Sequence, residues 1–231
     1  MERLTSVEQA VFDEWKKDGL WVQNDTETIQ NLRERLTSVA YHEAGHAVVN
    51  SFFGTNYTHF EKITIIPTSV FAGNFRQSRI LNLYFSKWSK LEAIAFNLSG
   101  YLAQKRVDAD IPSITEILID WDWYAYESEE DWLLRSDEGK ALSLAESIQN
   151  KIWPAGRILR MVEKWTDELL NDAIVWGVVE KLSKRLLSVG TINDLDELDF
   201  YTKPILFKCG ISKIWQRRMK SNLAQGNSES G

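Results

Sequence analysis

Apolar residues recur along most of this chain at three- and four-residue intervals, the pattern of helices that bury one face. Val7, Ala10, Val11 and Trp15 predict a short helix over 6–18. Leu32, Leu36, Val39 and Ala40 open a longer helix over 28–53, which Gly54-Thr55-Asn56 stops. At 62–67 the character changes: Lys62-Ile63-Thr64-Ile65-Ile66-Pro67 predicts a β-branched strand closed by proline, with a second short strand near 70–77. Helical spacing returns over 87–107 through Leu91, Ile94, Leu98 and Leu102, and again from Asp137 through Ala141, Leu144, Ala145 and Ile148. Two more helices are expected near 155–170 and 171–188, and a short one near 193–198. The expected fold class is therefore α+β and mainly helical, with a long helix beside a small β-sheet and a helical bundle on the C-terminal side.

Composition narrows the function classes. The 231 residues, 44% hydrophobic and 26% charged, suit one globular domain, and 10 Trp, 10 Phe and 7 Tyr provide bulky core material. Global disorder is excluded. Lys and Arg total 27 against 33 Asp and Glu, a net charge of −6, so nucleic acid is not the expected partner. The single cysteine, Cys209, excludes an internal disulfide and fits a reducing compartment. The longest apolar run, 173–179, is too short to cross a membrane, and the first residues do not resemble a signal peptide. A cytoplasmic protein with no membrane insertion is expected.

Two segments stand apart by charge. The stretch 107–134 carries acids but no Lys or Arg, among Trp121, Trp123 and Trp132; it reads as a solvated acidic loop pinned by aromatics, or as a gate or docking surface. Residues 208–220 are basic without an acid and read as a solvated helix face. The expected organisation is an N-terminal helical extension over 1–27, a main domain over 28–205, and a basic segment with a polar tail over 206–231.

Two of the chain's three histidines lie four residues apart, in Ala40-Tyr41-His42-Glu43-Ala44-Gly45-His46-Ala47-Val48-Val49. This is H-E-x-x-H within an expected helix, where 3.6 residues per turn put His42 and His46 on one face. Two imidazoles so placed reach a single Zn²⁺ at roughly 2.0–2.1 Å. Glu43, one position along, stands near the metal without being forced to bind it, and is placed to act as general base toward water. A catalytic zinc also needs a third ligand. The metzincin continuation fails, because Val49 and Phe52 stand where glycine and histidine would be required. His59 reads as a surface or interface residue, so a downstream carboxylate at the start of a helix is needed.

The run 40–49 closely resembles the zinc motif of the FtsH-type (AAA+-linked) metalloproteases. Ile63-Thr64-Ile65-Ile66-Pro67 resembles that family's strand after the zinc helix, and Ala72-Gly73-Asn74-Phe75 its substrate-edge strand. Leu98-Ser99-Gly100-Tyr101-Leu102-Ala103-Gln104 is similar to a helix that normally ends in small-Gly-Arg-x-Ala-Glu, here with Tyr101 for the arginine and Gln104 for the glutamate. The run 136–145 resembles the family's Asn-Asp helix start, which implies Asp137 as third zinc ligand. An acid in a first helical turn behind Ser136 as N-cap suits that role, with Glu129, Glu130 and Asp131 as rivals.

The resemblance covers roughly residues 30–200 and implies one Zn²⁺ per chain, a polypeptide substrate and a tendency toward homo-oligomers. The chain has no counterpart of the ATPase domain or membrane helices; Gly139-Lys140 lacks the rest of a P-loop. The expected function is an ATP-independent zinc metalloendopeptidase acting on flexible or unfolded polypeptides, with Ala72, Gly73, Asn74 and Phe75 receiving the substrate strand. The alternative is a zinc-stabilised, non-catalytic adaptor of an AAA+ protease assembly.

Overall fold

A computed structural model describes residues 4–17, 29–53, 58–67, 74–79, 87–108, 110–111, 114 and 136–206. In chain order the described elements are α1 (Ser6–Lys17), α2 (Ile29–Phe53), β1 (Thr58–Thr64), β2 (Asn74–Arg79), α3 (Lys87–Lys105), α4 (Asp137–Glu146), α5 (Ala155–Leu170), α6 (Ala173–Val189), β3 (Thr191–Ile192) and α7 (Leu195–Leu206). The fold is α+β and mainly helical, as the periodicity predicts.

α2 is the central element. Its first turns bury one stripe, Leu32 and Leu36, but from Glu43 to Val49 every residue is buried. A helix covered all round must have neighbours on several sides, and α2 packs against α3, α6, α7 and the sheet. Its contact with α3 is close because Gly45 faces Ser99 and Ala103: a methyl group there would stand 2.5 Å from the Ser99 carbonyl oxygen and 2.7 Å from Ala103 Cβ. The two backbones therefore approach where the histidines sit.

α3 in turn also packs against α4 and α5. α5 buries Ile158, Leu159, Val162, Trp165, Leu169 and Leu170 against the common core. Arg106, just past α3, closes the C-terminal end of α5: its guanidinium donates to the carbonyls of Leu170 (2.8 Å) and Asp167 (3.0 Å), where the helix dipole favours a cation. Asp172 caps α6 by accepting from the N–H groups of Ile174 and Val175.

The described sheet has the order β2-β1-β3, with both pairings antiparallel. Its boundaries differ from the sequence expectation. The strand expected at 62–67 runs over Thr58–Thr64, because Ile65 leaves the ladder and donates its N–H to the Gly190 carbonyl. Gly190, at φ 76°, ends α6 in a conformation that suits glycine and turns the chain into β3. The second strand, expected at 70–77, is described over Asn74–Arg79. β3 was not expected, two residues being too few to show a period. The short helix expected at 193–198 continues to Leu206, with Leu198, Thr202 and Ile205 buried at helical spacing behind an exposed Phe200 and Pro204 that obscure the pattern. The segments 115–135 and 207–231, and with them most of the acidic stretch and all of the basic one, lie outside the described residues.

Candidate metal centre

His42 and His46 lie on adjacent turns of α2, and Asp137 is the first residue of α4. Ser136 caps that helix, its Oγ accepting from the Gly139 N–H at 2.9 Å, which fixes the turn that carries Asp137. Packing of both α2 and α4 against α3 brings the three side chains together. Nε2 of His46 lies 3.1 Å from Nε2 of His42 and 3.0 Å from Asp137 Oδ2, and His42 Nε2 lies 3.3 Å from the same oxygen. Among the described residues this is the group of histidine and carboxylate side chains arranged to hold a metal ion.

The outer contacts of each side chain fix its orientation. His46 Nδ1 lies 2.8 Å from the Phe96 carbonyl, which only accepts, so the proton is on Nδ1 and Nε2 presents a lone pair. His42 Nδ1 faces Gln104 Oε1 at 3.0 Å, with the same consequence. Lys140 holds the other oxygen of Asp137, Oδ1, at 3.1 Å. In the neutral form of both rings, two nitrogen lone pairs and a carboxylate oxygen thus converge, an arrangement that a cation relieves, or a proton in its place.

The spacing tests which cation fits. Zinc at roughly 2.0–2.1 Å from tetrahedral N and O ligands separates those ligands by roughly 3.3 Å. The observed triangle of 3.0, 3.1 and 3.3 Å is of that size. Electrostatics agree: burial works against a charged His42, yet the hydrogen bond to Asp137 and the charge of Glu43 outweigh it and lift its pKa to about 9. Asp137 is held well below the usual carboxylate range although burial opposes this, chiefly by the charge of His46 and the hydrogen bonds to both histidines.

Gly100 completes the cradle. α3 passes so near that a methyl group on Gly100 would press on Nε2 of His46 and stand 2.7 Å from Nε2 of His42, inside the space an ion needs. Glu43 is buried next to the pair. Among the described residues its Oε2 meets no hydrogen-bond partner, and burial pushes its pKa up to about 7. A buried carboxylate oxygen without a partner is costly, and the position is explained if it serves a reacting molecule.

Of the other residues singled out by sequence, Asn74 and Phe75 lie on β2, paired with Thr64 and Ile63. Ala72 and Gly73 lie outside the described residues, as do Glu129, Glu130 and Asp131. His59 is on β1, opposite Ser78. Sequence reasoning did not find Ser38, Lys140 or the Phe96 carbonyl, and it noted Gly100 and Gln104 only as parts of a family pattern. A signal was present: Gly100 and Gln104 are four residues apart, so α3 presents both on the face that meets the histidines.

Residues 29–113 match the family model described as Peptidase family M41. The match spans α2 through α3 and contains both histidines, Glu43, Gly100 and Gln104; Asp137 lies beyond it. No curated protein matches the chain. No helix among the described residues is long and apolar enough to cross a membrane. Over residues 29–113, a little over a third of its length, this chain is similar to peptidase family M41, the FtsH-type peptidases.

Proposed function

We propose that this protein is a zinc metalloendopeptidase that cleaves flexible or unfolded polypeptides without nucleotide. The observation that carries the reading is the convergence of two imidazole lone pairs and a carboxylate oxygen at 3.0–3.3 Å beside the buried, unpartnered Oε2 of Glu43. A structural zinc site has no use for such a base, which favours catalysis over the adaptor reading.

His42, His46 and Asp137 would hold the ion. Zinc in such a site supplies a Lewis acid that acidifies water and polarises a carbonyl. Glu43 takes the proton of the attacking water on its free oxygen and returns it to the leaving amine. In the metal-free protein burial lifts its pKa to about 7, so the group is able to hold a proton near neutral pH. Lys140 and Ser136 keep Asp137 in place during the cycle.

The substrate would bind as an extended strand along β2, which pairs with β1 on one side and is an edge of the described sheet. Backbone hydrogen bonds provide affinity there with little side-chain selectivity, so Asn74 and Phe75, with Ala72 and Gly73 before them, act mainly through their backbone. Compact domains cannot offer such a strand. Residues 28–205 form the peptidase unit in this reading.

The test compares zinc-loaded wild type with Glu43→Gln and Asp137→Asn on casein and a peptide library. Expected outcomes are cleavage by wild type, zinc without cleavage in Glu43→Gln, and loss of zinc in Asp137→Asn. Cleavage by Glu43→Gln at the wild-type rate would refute the assignment.

A further inference from the structure

Ser38, His42 and His46 succeed one another at four-residue spacing along α2; Phe96, Gly100, Gln104 and Asp108 do the same along α3 and just past its end. The two stripes face each other. At the end away from the ion site, Gln104 Nε2 donates to Ser38 Oγ at 2.8 Å, and the Ser38 hydroxyl donates to Asp108 Oδ2 at 3.3 Å. Ser38 is buried, and Asp108 spends its other oxygen on the Asp110 N–H.

The direction of these bonds decides whether His42 can bind a metal. An amide can be turned end for end. With its oxygen toward His42 Nδ1, Gln104 accepts the ring proton and leaves Nε2 bare. With its amino end there, it would occupy the Nδ1 lone pair and send the proton to Nε2, into the space between the ligands. Neither His42 nor Gln104 chooses between these states, and a hydroxyl such as Ser38 both donates and accepts. A carboxylate only accepts. The single Ser38 proton therefore goes to Asp108, Ser38 Oγ is left to accept from the Gln104 amino group, and Oε1 is turned to His42.

We infer that Asp108, Ser38 and Gln104 form a one-way hydrogen-bond relay that holds His42 in its metal-binding tautomer, with Asp108 as the residue that sets the direction. All three are positioning residues: they act through His42 and touch neither ion nor substrate. The inference rests on the reading of His42, His46 and Asp137 as metal ligands.

The experiment is zinc affinity by competition with a chromophoric chelator, on the full chain stripped of metal and checked for folding by circular dichroism. Asp108→Asn lets the Ser38 hydroxyl turn back toward Gln104, and Ser38→Ala removes it. Each should weaken zinc binding by roughly 10- to 100-fold. In a Gln104→Glu background the carboxylate accepts from His42 unaided, so there the same two substitutions should change affinity by no more than about twofold. That rescue distinguishes a relay from a merely structural role. Equal affinities in wild type, Asp108→Asn and Ser38→Ala would overturn the relay, and so would a full loss that persists with Gln104→Glu, or a Gln104→Glu protein that itself fails to bind. Wild type that binds no zinc would overturn the ligand assignment, and the relay with it.

Discussion

A methyl group on Gly100 would press directly on Nε2 of His46, so close do α3 and the second histidine of α2 lie. Substitution of Gly100 by Ala is therefore expected to abolish stoichiometric zinc binding while leaving the helical circular dichroism in place. Two other helical glycines, Gly156 and Gly177, have open space where a methyl would go. Alanine there should raise the unfolding free energy by about 0.5–1 kcal/mol without touching zinc content. Metal analysis and denaturant unfolding of the three variants check both statements; a Gly100→Ala protein with full zinc would disprove the first.

Ser136 holds the first turn of α4 through its bond from the Gly139 N–H. Ser136→Ala should cost about 1 kcal/mol of stability, whereas Ser136→Asn, another good cap, should stay within a few tenths. Because Asp137 is the next residue, zinc affinity should fall with the cap in the first variant and hold in the second. Denaturation of the metal-free protein and a zinc titration measure the two effects.

Zinc binding should depend on pH through His42. Its folded pKa, about 9, stands above the ordinary 6.5 despite burial, owing to Asp137 and Glu43. Protonation of His42 thus stabilises the metal-free protein fully below pH 6.5, and that contribution is lost as pH rises through about 9. Zinc must displace the same proton, so its affinity moves the other way. It should rise about tenfold per pH unit between neutrality and pH 9, then level off. Chelator competition across that range tests this, and a flat profile would contradict it.

Glu43 sets function against stability. Burial raises its pKa from 4.5 to about 7, so the stability of the metal-free fold falls as pH rises through that value and the carboxylate ionises. Glu43→Gln removes the charge. Above pH 7 the variant should be more stable than wild type by on the order of 1–3 kcal/mol, with the difference vanishing toward pH 4.5. Unfolding curves of the metal-free proteins at two pH values decide the matter.

Much of the fold is legible in the chain because helical period is a local property. Leu91, Ile94, Leu98 and Leu102 are all buried where α3 meets its neighbours, and the spacing of His42 and His46 alone puts them on one face. Ser136 before Asp137 marks a helix start by the chemistry of unsatisfied N–H groups, and the cap forms there. Strand limits are less legible: Ile65 and Ile66 look like strand, but Ile65 pairs with Gly190, 125 residues on, which no local pattern signals.

By itself, the sequence determined the H-E-x-x-H helix, the mainly helical class and a short list of acids able to complete a site. Only the tertiary structure shows that, among the described residues, Asp137 is the acid that meets the pair. Asp137 lies 91 residues from His46 and 95 from His42, and they meet because α2 and α4 both pack on α3. It also gave Gly45 and Gly100 their purpose, since the cost of a methyl group depends on what the opposite helix places beside it. Periodicity follows from backbone geometry over a few residues, whereas the convergence of ligand atoms within 3.3 Å follows from how whole helices pack.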